Sequence, residues 1–337
     1  MSQSSFWELR RYRVSRIVRT IVTGDEARRQ YPARAVETLG NRLPGIEEWK
    51  PQAMANRVIE MFWNALSPRV RSWKHTQDVG RWIHRRARRV QPRGGGCFTR
   101  FFRNLPQLEL LRDLLFEKPG GAPIKIVSLG CSTGAELYSL LWLLRTARPA
   151  QGVQALGVDT EEECIQAASR GVYPCRVVEV AEVPATSHEQ LFTRERKTLV
   201  VQDWLKETTT WAVGDACSSD LVAQFGRHDL VLANNFLCHM SPEDAEACLR
   251  NLVQLVAPHG YLVVSGVDLD LRSRVLEGLG FVPVTARCEE IHAAEDRHAA
   301  WPLRSWGLEP MDRTRQDWAA RYATIFRSPA GTGGAAQ

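Results

Sequence analysis

The sequence predicts an α/β protein: a mostly parallel sheet with helices on both faces, an antiparallel strand closing one edge, a small inserted β-subdomain and an N-terminal helical module. Three observations carry that prediction. From residue 124 onward, short apolar runs alternate with helical patterns. The first of these runs ends in Gly130–Cys131–Ser132–Thr133–Gly134 and passes directly into a helical pattern. The charge also changes sign along the chain: residues 1–95 hold 20 basic and 8 acidic side chains, whereas residues 96–337 hold 24 basic and 30 acidic ones.

The N-terminal module is read as all helical. Val14, Ile17, Val18, Ile21 and Val22 fall at helical spacing, with Arg10, Arg11, Arg13, Arg16 and Arg19 around them, which makes a basic amphipathic helix. A second helix is expected near 53–66, with Val58, Met61, Phe62, Ala65 and Leu66 on one face, and a third over 80–90, before the Pro92–Gly96 linker. Strands follow over 124–129, 153–158, 210–213, 229–233 and 261–265. The helices between them run to about 146 and 169 and over 218–225 and 242–256. The stretch 172–208 reads as an insert in which Thr198–Val201 forms a strand of a hairpin or small sheet. Residues 281–292 and 320–327 read as a closing antiparallel pair. The expected domains are therefore 1–95, 96–328 with its insert, and a disordered small-residue tail over 329–337.

Composition sets limits on function. At 337 residues, 44% hydrophobic and 24% charged, the chain is an ordinary globular protein of two domains, or of one domain with an appendage. No apolar run is long enough for a membrane span, and the N-terminus lacks a signal-peptide core. The eight cysteines show no CxxC or metal spacing and read as free thiols of a cytoplasmic protein; the eight histidines show no ligand pairing, so no metal is expected. The arginine-rich start suits an acidic protein surface or a nucleic acid, since the guanidinium fork matches carboxylate and phosphate, although a plain solvated face is the other reading.

The chemistry concentrates at Gly130–Gly134. In open α/β sheets, ligands bind beyond the carboxyl ends of the strands, and glycines there let a ligand approach backbone N–H groups. The spacing is Gly-x-x-x-Gly, not the dinucleotide pattern. Asp159 ends the next strand, about 25 residues on, where an acid can accept both hydroxyls of a ribose or serve as the cap of the following helix.

The run from Val127 to Leu140 resembles the first motif of the CheR-type methyltransferases, the chemotaxis-receptor glutamate O-methyltransferases that use S-adenosylmethionine. Further blocks agree in order: Thr99–Arg100–Phe101–Phe102–Arg103, Asp159 through Gly171–Val172–Tyr173, Asp229 through Asn235, and Leu252 through Tyr261. The resemblance covers about 97–266 and implies a Rossmann-like class I methyltransferase sheet. It implies S-adenosylmethionine as cofactor, held by Gly130, Ser132, Thr133, Gly134, Glu136, Asp159, Asp215, Asn234 and Asn235. It also implies transfer chemistry at Arg103, Asn235 and His239, and an acidic, receptor-like protein segment as partner, docked by the basic helices. Tyr138 is read as a helix residue packed on the sheet.

Two positions depart from the family's fourth-strand pattern. Asn234 stands where the family has arginine and His239 where it has tyrosine; Gly266–Val267–Asp268 replaces its His-Ser-Glu. These departures bear on the acceptor more than on the cofactor. A nucleic-acid acceptor and a cofactor-binding scaffold without catalysis are the alternatives. The absence of a paired-carboxylate or Ser-His-Asp constellation does not count against methyl transfer to a carboxylate. A glutamate of ordinary pKa, near 4.3, is already an ionised nucleophile and needs no base.

Overall fold

A computed structural model gives the architecture and describes residues 61–71, 73–87, 99–117, 121–175, 177–181, 183–295, 301–302 and 308–330. The chain divides into two compact units, Met1–Trp63 and Asn64–Gln337, and the second holds the sheet. The predicted basic helix over 14–22 lies outside the described residues, as do most of the predicted 53–66 helix and the tail from 331. The predicted 80–90 helix belongs to a longer one, α1 (Lys74–Ala87). The His84 ring sits 2.7 Å from the Pro302 carbonyl, which ties α1 to the C-terminal part of the same unit.

Among the described residues, the central sheet has seven strands in the order β6-β2-β1-β7-β8-β10-β9. They are β1 (Ile124–Leu129), β2 (Val153–Asp159), β6 (Thr209–Val213), β7 (His228–Asn234), β8 (Val256–Ser265), β9 (Val282–Pro283) and β10 (Ile325–Arg327). The first five pair in parallel; β10 runs antiparallel to both β8 and β9. In β1 every residue but Lys125 is buried, and in β7 the segment Leu230–Ala233 is buried, because helices cover both faces. Those helices include α2 (Leu105–Phe116), α3 (Ala135–Ala147), α4 (Glu162–Arg170), α5 (Pro242–Leu252) and α6 (Leu269–Gly278). The chain moves outward from β1 through β2 to β6, then returns to the other side of β1 as β7. That reversal opens a crevice at the carboxyl ends of β1 and β7.

The insert forms a separate antiparallel sheet, β3-β5-β4, from β3 (Val172–Pro174), β4 (Phe192–Glu195) and β5 (Thr198–Val201). Phe101 packs edge-on against both Tyr173 and Phe192 of this sheet, with ring centroids 5.0 and 4.9 Å away. The insert therefore supports the segment Thr99–Asn104. Tyr138 is buried and donates to the Ala168 carbonyl at 2.9 Å, the packing role expected of it.

Several sequence readings shift. The helix expected over 242–256 ends at Leu252, and β8 starts at Val256 rather than Tyr261. Pro258–His259–Gly260 reads as a turn, but the strand accommodates it through the register shift opposite His228 and Leu230. Of the expected closing pair, only Val282–Pro283 and Ile325–Arg327 are strands. Cys288–Ala293 is helix α7 and Trp318–Tyr322 is helix α8. Cys288 and Ile291, three apart, bury one side of a helical turn, a spacing that a strand would split between two faces. The segment after residue 269 is part of the core: fully buried Arg272 donates to the Val264 and Arg321 carbonyls at 3.0 and 2.7 Å. Cys131, Cys175, Cys217, Cys238, Cys248 and Cys288 are free thiols, but Cys164 stands in a disulfide. The expectation of free thiols throughout therefore fails at Cys164.

Candidate active site

A cavity of about 380 Å³ lies at the carboxyl ends of β1, β2, β6 and β7. That is the size range of small-molecule sites. Of the residues singled out in the sequence, Arg103, Gly130, Ser132, Glu136, Asp159, Asp215, Asn234, Asn235 and His239 line it. Thr133 and Gly134 do not. Gly134 is the left-handed residue before α3, φ +84°, and a Cβ there would lie 2.5 Å from the Trp211 ring; Thr133 gives its carbonyl to the Tyr173 hydroxyl. Both shape the turn, and neither lines the cavity. Gly130 contributes backbone directly, with φ +62° and Phe236 packed where a side chain would be.

Asp159 organises this turn. Its Oδ2 accepts from the Ser132 N–H at 2.7 Å, and its Oδ1 accepts from the Glu161 N–H at 3.1 Å. Glu161, not Asp159, holds the cap position of α4. A carboxylate has about four acceptor positions, so two remain for a ligand's hydroxyls. Asp215 follows β6 at the exposed rim and accepts from the Cys217 N–H at 2.8 Å. The Ser132 hydroxyl is buried and has no protein partner.

A second cluster faces the first. Glu136, in the first turn of α3, accepts from Asn234 Nδ2 at 2.8 Å. Burial pushes its carboxyl above the usual range, while the Arg103 guanidinium and the Asn234 bond pull it back; Glu295 pushes the same way as burial. Asn234 also donates to Gln107 Oε1 at 3.1 Å and accepts from the Ser265 hydroxyl at 2.8 Å. With both its N–H bonds and its oxygen engaged, the Asn234 amide positions Glu136. Arg103 is buried and forms an ion pair with Glu295 at 3.1 Å, and its Nε has no hydrogen-bond partner. Asn235 sits at the end of β7 with φ +62°, against Gly266, and His239 is exposed at the rim.

Gln107, Ser265 and Glu295 escaped the sequence reading. Gln107 lies inside an apolar helix and Ser265 ends a strand, positions with no motif around them. Among the described residues, no group of His, Cys, Asp and Glu side chains is placed to hold a metal, and no helix is long and apolar enough to cross a membrane.

A glycine turn, an acid on the neighbouring strand and a cavity at the switch point define a nucleoside-cofactor-binding α/β domain. Residues 97–269 match the family model described as the CheR methyltransferase, SAM binding domain. The chain belongs to the CheR methyltransferase family, and its cofactor is S-adenosylmethionine. Among relatives, it is 25% identical over 182 residues to a protein named as the probable biofilm formation methyltransferase WspC of Pseudomonas putida, covering 52% of this chain and 42% of that one. It is 24% identical over 173 residues to chemotaxis protein methyltransferase 2 of Vibrio cholerae, covering 49% and 59%. A 26% match over 211 residues to an uncharacterised 104.1 kDa protein of Rhodobacter capsulatus covers 56% of this chain and 22% of that one. The chain thus spans between about a fifth and three fifths of the length of these curated relatives. Magnesium protoporphyrin IX methyltransferase of Synechocystis is similar at 16% identity and a TM-score of 0.33, covering 68% of this chain and 87% of that one, which carries no argument about function.

The cavity fits this cofactor. Glu136, Asp159 and Asp215 offer acceptors for an ammonium group, ribose hydroxyls and a purine amine, and the buried, unpartnered Ser132 hydroxyl adds one more polar contact.

Proposed function

We propose that this chain is an S-adenosylmethionine-dependent methyltransferase that esterifies a glutamate side chain of an acidic protein segment. The observation that carries this reading is Arg103. It is a buried arginine that lines the same cavity as the cofactor acids Glu136 and Asp159, with its Nε buried and unpartnered. Such a group recognises a carboxylate.

In this reading Asp159 and Asp215 hold the nucleoside and Glu136 holds the ammonium end, with Asn234 keeping Glu136 in place. The backbone of Gly130 lets the cofactor lie close, while Thr133 and Gly134 set the turn. Bound S-adenosylmethionine supplies a methyl group activated as a sulfonium. Arg103 orients the acceptor carboxylate, Asn235 bounds the space between the two, and His239 borders the acceptor entrance. No proton leaves the acceptor, so alignment and exclusion of water are what the chain must provide. The basic residues of the 1–95 stretch dock the acidic segment, which we take to be receptor-like. We place the reaction in the cytoplasm, in keeping with the six free thiols among the described residues and against the one disulfide-bonded cysteine, Cys164.

The test is transfer of tritiated methyl from labelled cofactor into host extract. Label should appear in protein, resist nuclease and leave as methanol on mild base treatment. Nuclease-sensitive label would move the acceptor to nucleic acid; stoichiometric cofactor binding with no transfer would make the chain a scaffold.

A further inference from the structure

The family match ends at residue 269, yet the chain beyond it returns to the segment that carries Arg103. Asn104 Nδ2 donates to the Ile291 carbonyl at 2.9 Å, Arg287 pairs with Glu109 at 2.9 Å, and Arg103 pairs with Glu295 at 3.1 Å. The backbone on either side of Arg103 is left-handed without glycine: φ is +54° at Phe102 and +52° at Asn104. Such residues persist only where surrounding contacts hold them. Here those contacts are Phe102 against Trp142, the Asn104–Ile291 bond and the Arg103–Glu295 pair.

Glu295 itself is buried to 7% exposure, and it does not line the cavity, whereas Arg103 does. Charge neutralisation alone does not require it, because Glu136 already stands near enough to Arg103 for each to act on the other's charge. Glu295 gives the guanidinium a partner outside the cavity lining, whereas Glu136 lies within it. A planar fork held at one end has its remaining donors fixed in direction.

We infer that Glu295 is a positioning residue: its carboxylate grips one end of the Arg103 guanidinium and fixes the direction of the remaining donors, which are kept for the acceptor carboxylate. The inference rests on the methyl-transfer reading of the cavity, and its specificity element lies outside the matched domain. A merely structural Glu295 would affect stability and every activity alike, whether or not Arg103 is present.

The experiment is a double-mutant cycle in the full chain with Glu295→Gln, Arg103→Ala and the combination, alongside Glu295→Asp. Thermal midpoints and calorimetric affinity for S-adenosylhomocysteine check folding and the cofactor end. Single-turnover methyl transfer into host protein reads the acceptor end. The Arg103 Nε–Hε resonance, identified by its loss in Arg103→Lys, reads the guanidinium directly. Glu295→Gln should keep cofactor affinity within about twofold, lower transfer about tenfold, and broaden or shift the Arg103 resonance. In the Arg103→Ala background it should change transfer less than about twofold, because coupled residues are not additive. Glu295→Asp should retain part of the rate. Equal losses in both backgrounds, or an Arg103 resonance unmoved by Glu295→Gln, would overturn the proposal. If the wild-type chain methylates no protein carboxylate, the functional reading fails by itself. The resonance then decides alone: moved, the grip on Arg103 stands; unmoved, it falls.

Discussion

The two ends of the cavity differ in how far apart in sequence their parts lie. At the cofactor end, the Ser132 N–H reaches Asp159 across 27 residues, within one strand–helix–strand unit. At the end we assign to the acceptor, Asn234 reaches Glu136 across 98 residues and Gln107 across 127, and Arg103 reaches Glu295 across 192. The first end is made by backbone geometry that glycine permits. The second is made by buried polar side chains that reach one another across long stretches of sequence, with Gln107 also donating to the Thr324 hydroxyl. Networks of this kind rigidify a site when complete and are costly when one member is lost. Damage at the two ends should therefore read out differently, in cofactor affinity at one and in transfer rate at the other.

The largest expected effect is at the acceptor end. Arg103→Ala should leave cofactor affinity within a few-fold and cost roughly 3 kcal/mol in single-turnover transfer, about a hundredfold. Lysine should rescue poorly, because a point charge does not reproduce the planar fork. A mutant rate within twofold of wild type would remove Arg103 from the chemistry. Asp159→Ala should do the opposite. It removes the acceptor of the Ser132 N–H as well as the ribose contacts, and each charge-assisted bond is worth roughly 1.5–3 kcal/mol. Calorimetry should show cofactor affinity down by tenfold or more, with transfer at saturating cofactor largely retained. Unchanged affinity in a folded protein would take Asp159 out of the site.

The same contrast explains what the sequence made legible. The turn, Asp159 and the parallel strands were readable because their signals are local: apolar runs of one strand's length, glycines at fixed offsets, an acid at a strand end. Arg103 was readable as a position but not as an ion pair, since nothing near Glu295 in sequence points to it. Asn234 looked like the loss of an arginine. In the fold it is an amide whose donors and acceptor hold Glu136, Gln107 and Ser265 together. Thr133 and Gly134, read as cofactor residues, shape the turn without lining the cavity, and motifs alone do not distinguish those two placements.

A smaller effect is expected from the basic module. Replacing Arg11, Arg13, Arg16 and Arg19 with Gln should raise the acceptor KM several-fold and leave both ends of the cavity intact. Added salt should mimic it in the wild type and do little in the variant, because charges screen beyond about 8 Å at physiological ionic strength. An acceptor KM that ignores both salt and substitution would separate the module from docking altogether.

The smallest effect sharpens the comparison from within, at Glu136, which belongs to both ends. Burial raises its carboxyl above the usual value of 4.5, against the pull of Arg103 and Asn234. The native protein therefore holds this proton more tightly than the unfolded chain does. Where the native form binds more protons, stability falls as pH rises, so the cofactor-free protein loses stability on passing upward from about pH 4.5 through the raised value. Glu136→Gln carries no such charge. Its thermal midpoint should match the wild type below that window and exceed it by a few degrees at neutral pH, a gap that opens as pH rises. The same variant should bind cofactor more weakly at neutral pH, because the amide offers no charge to the ammonium group. Scanning calorimetry of both proteins from about pH 3.5 to 8 checks the sign. A gap that closes with rising pH would mean that Arg103 and Asn234 outweigh burial, and that Glu136 stabilises the fold as well as holding the ligand.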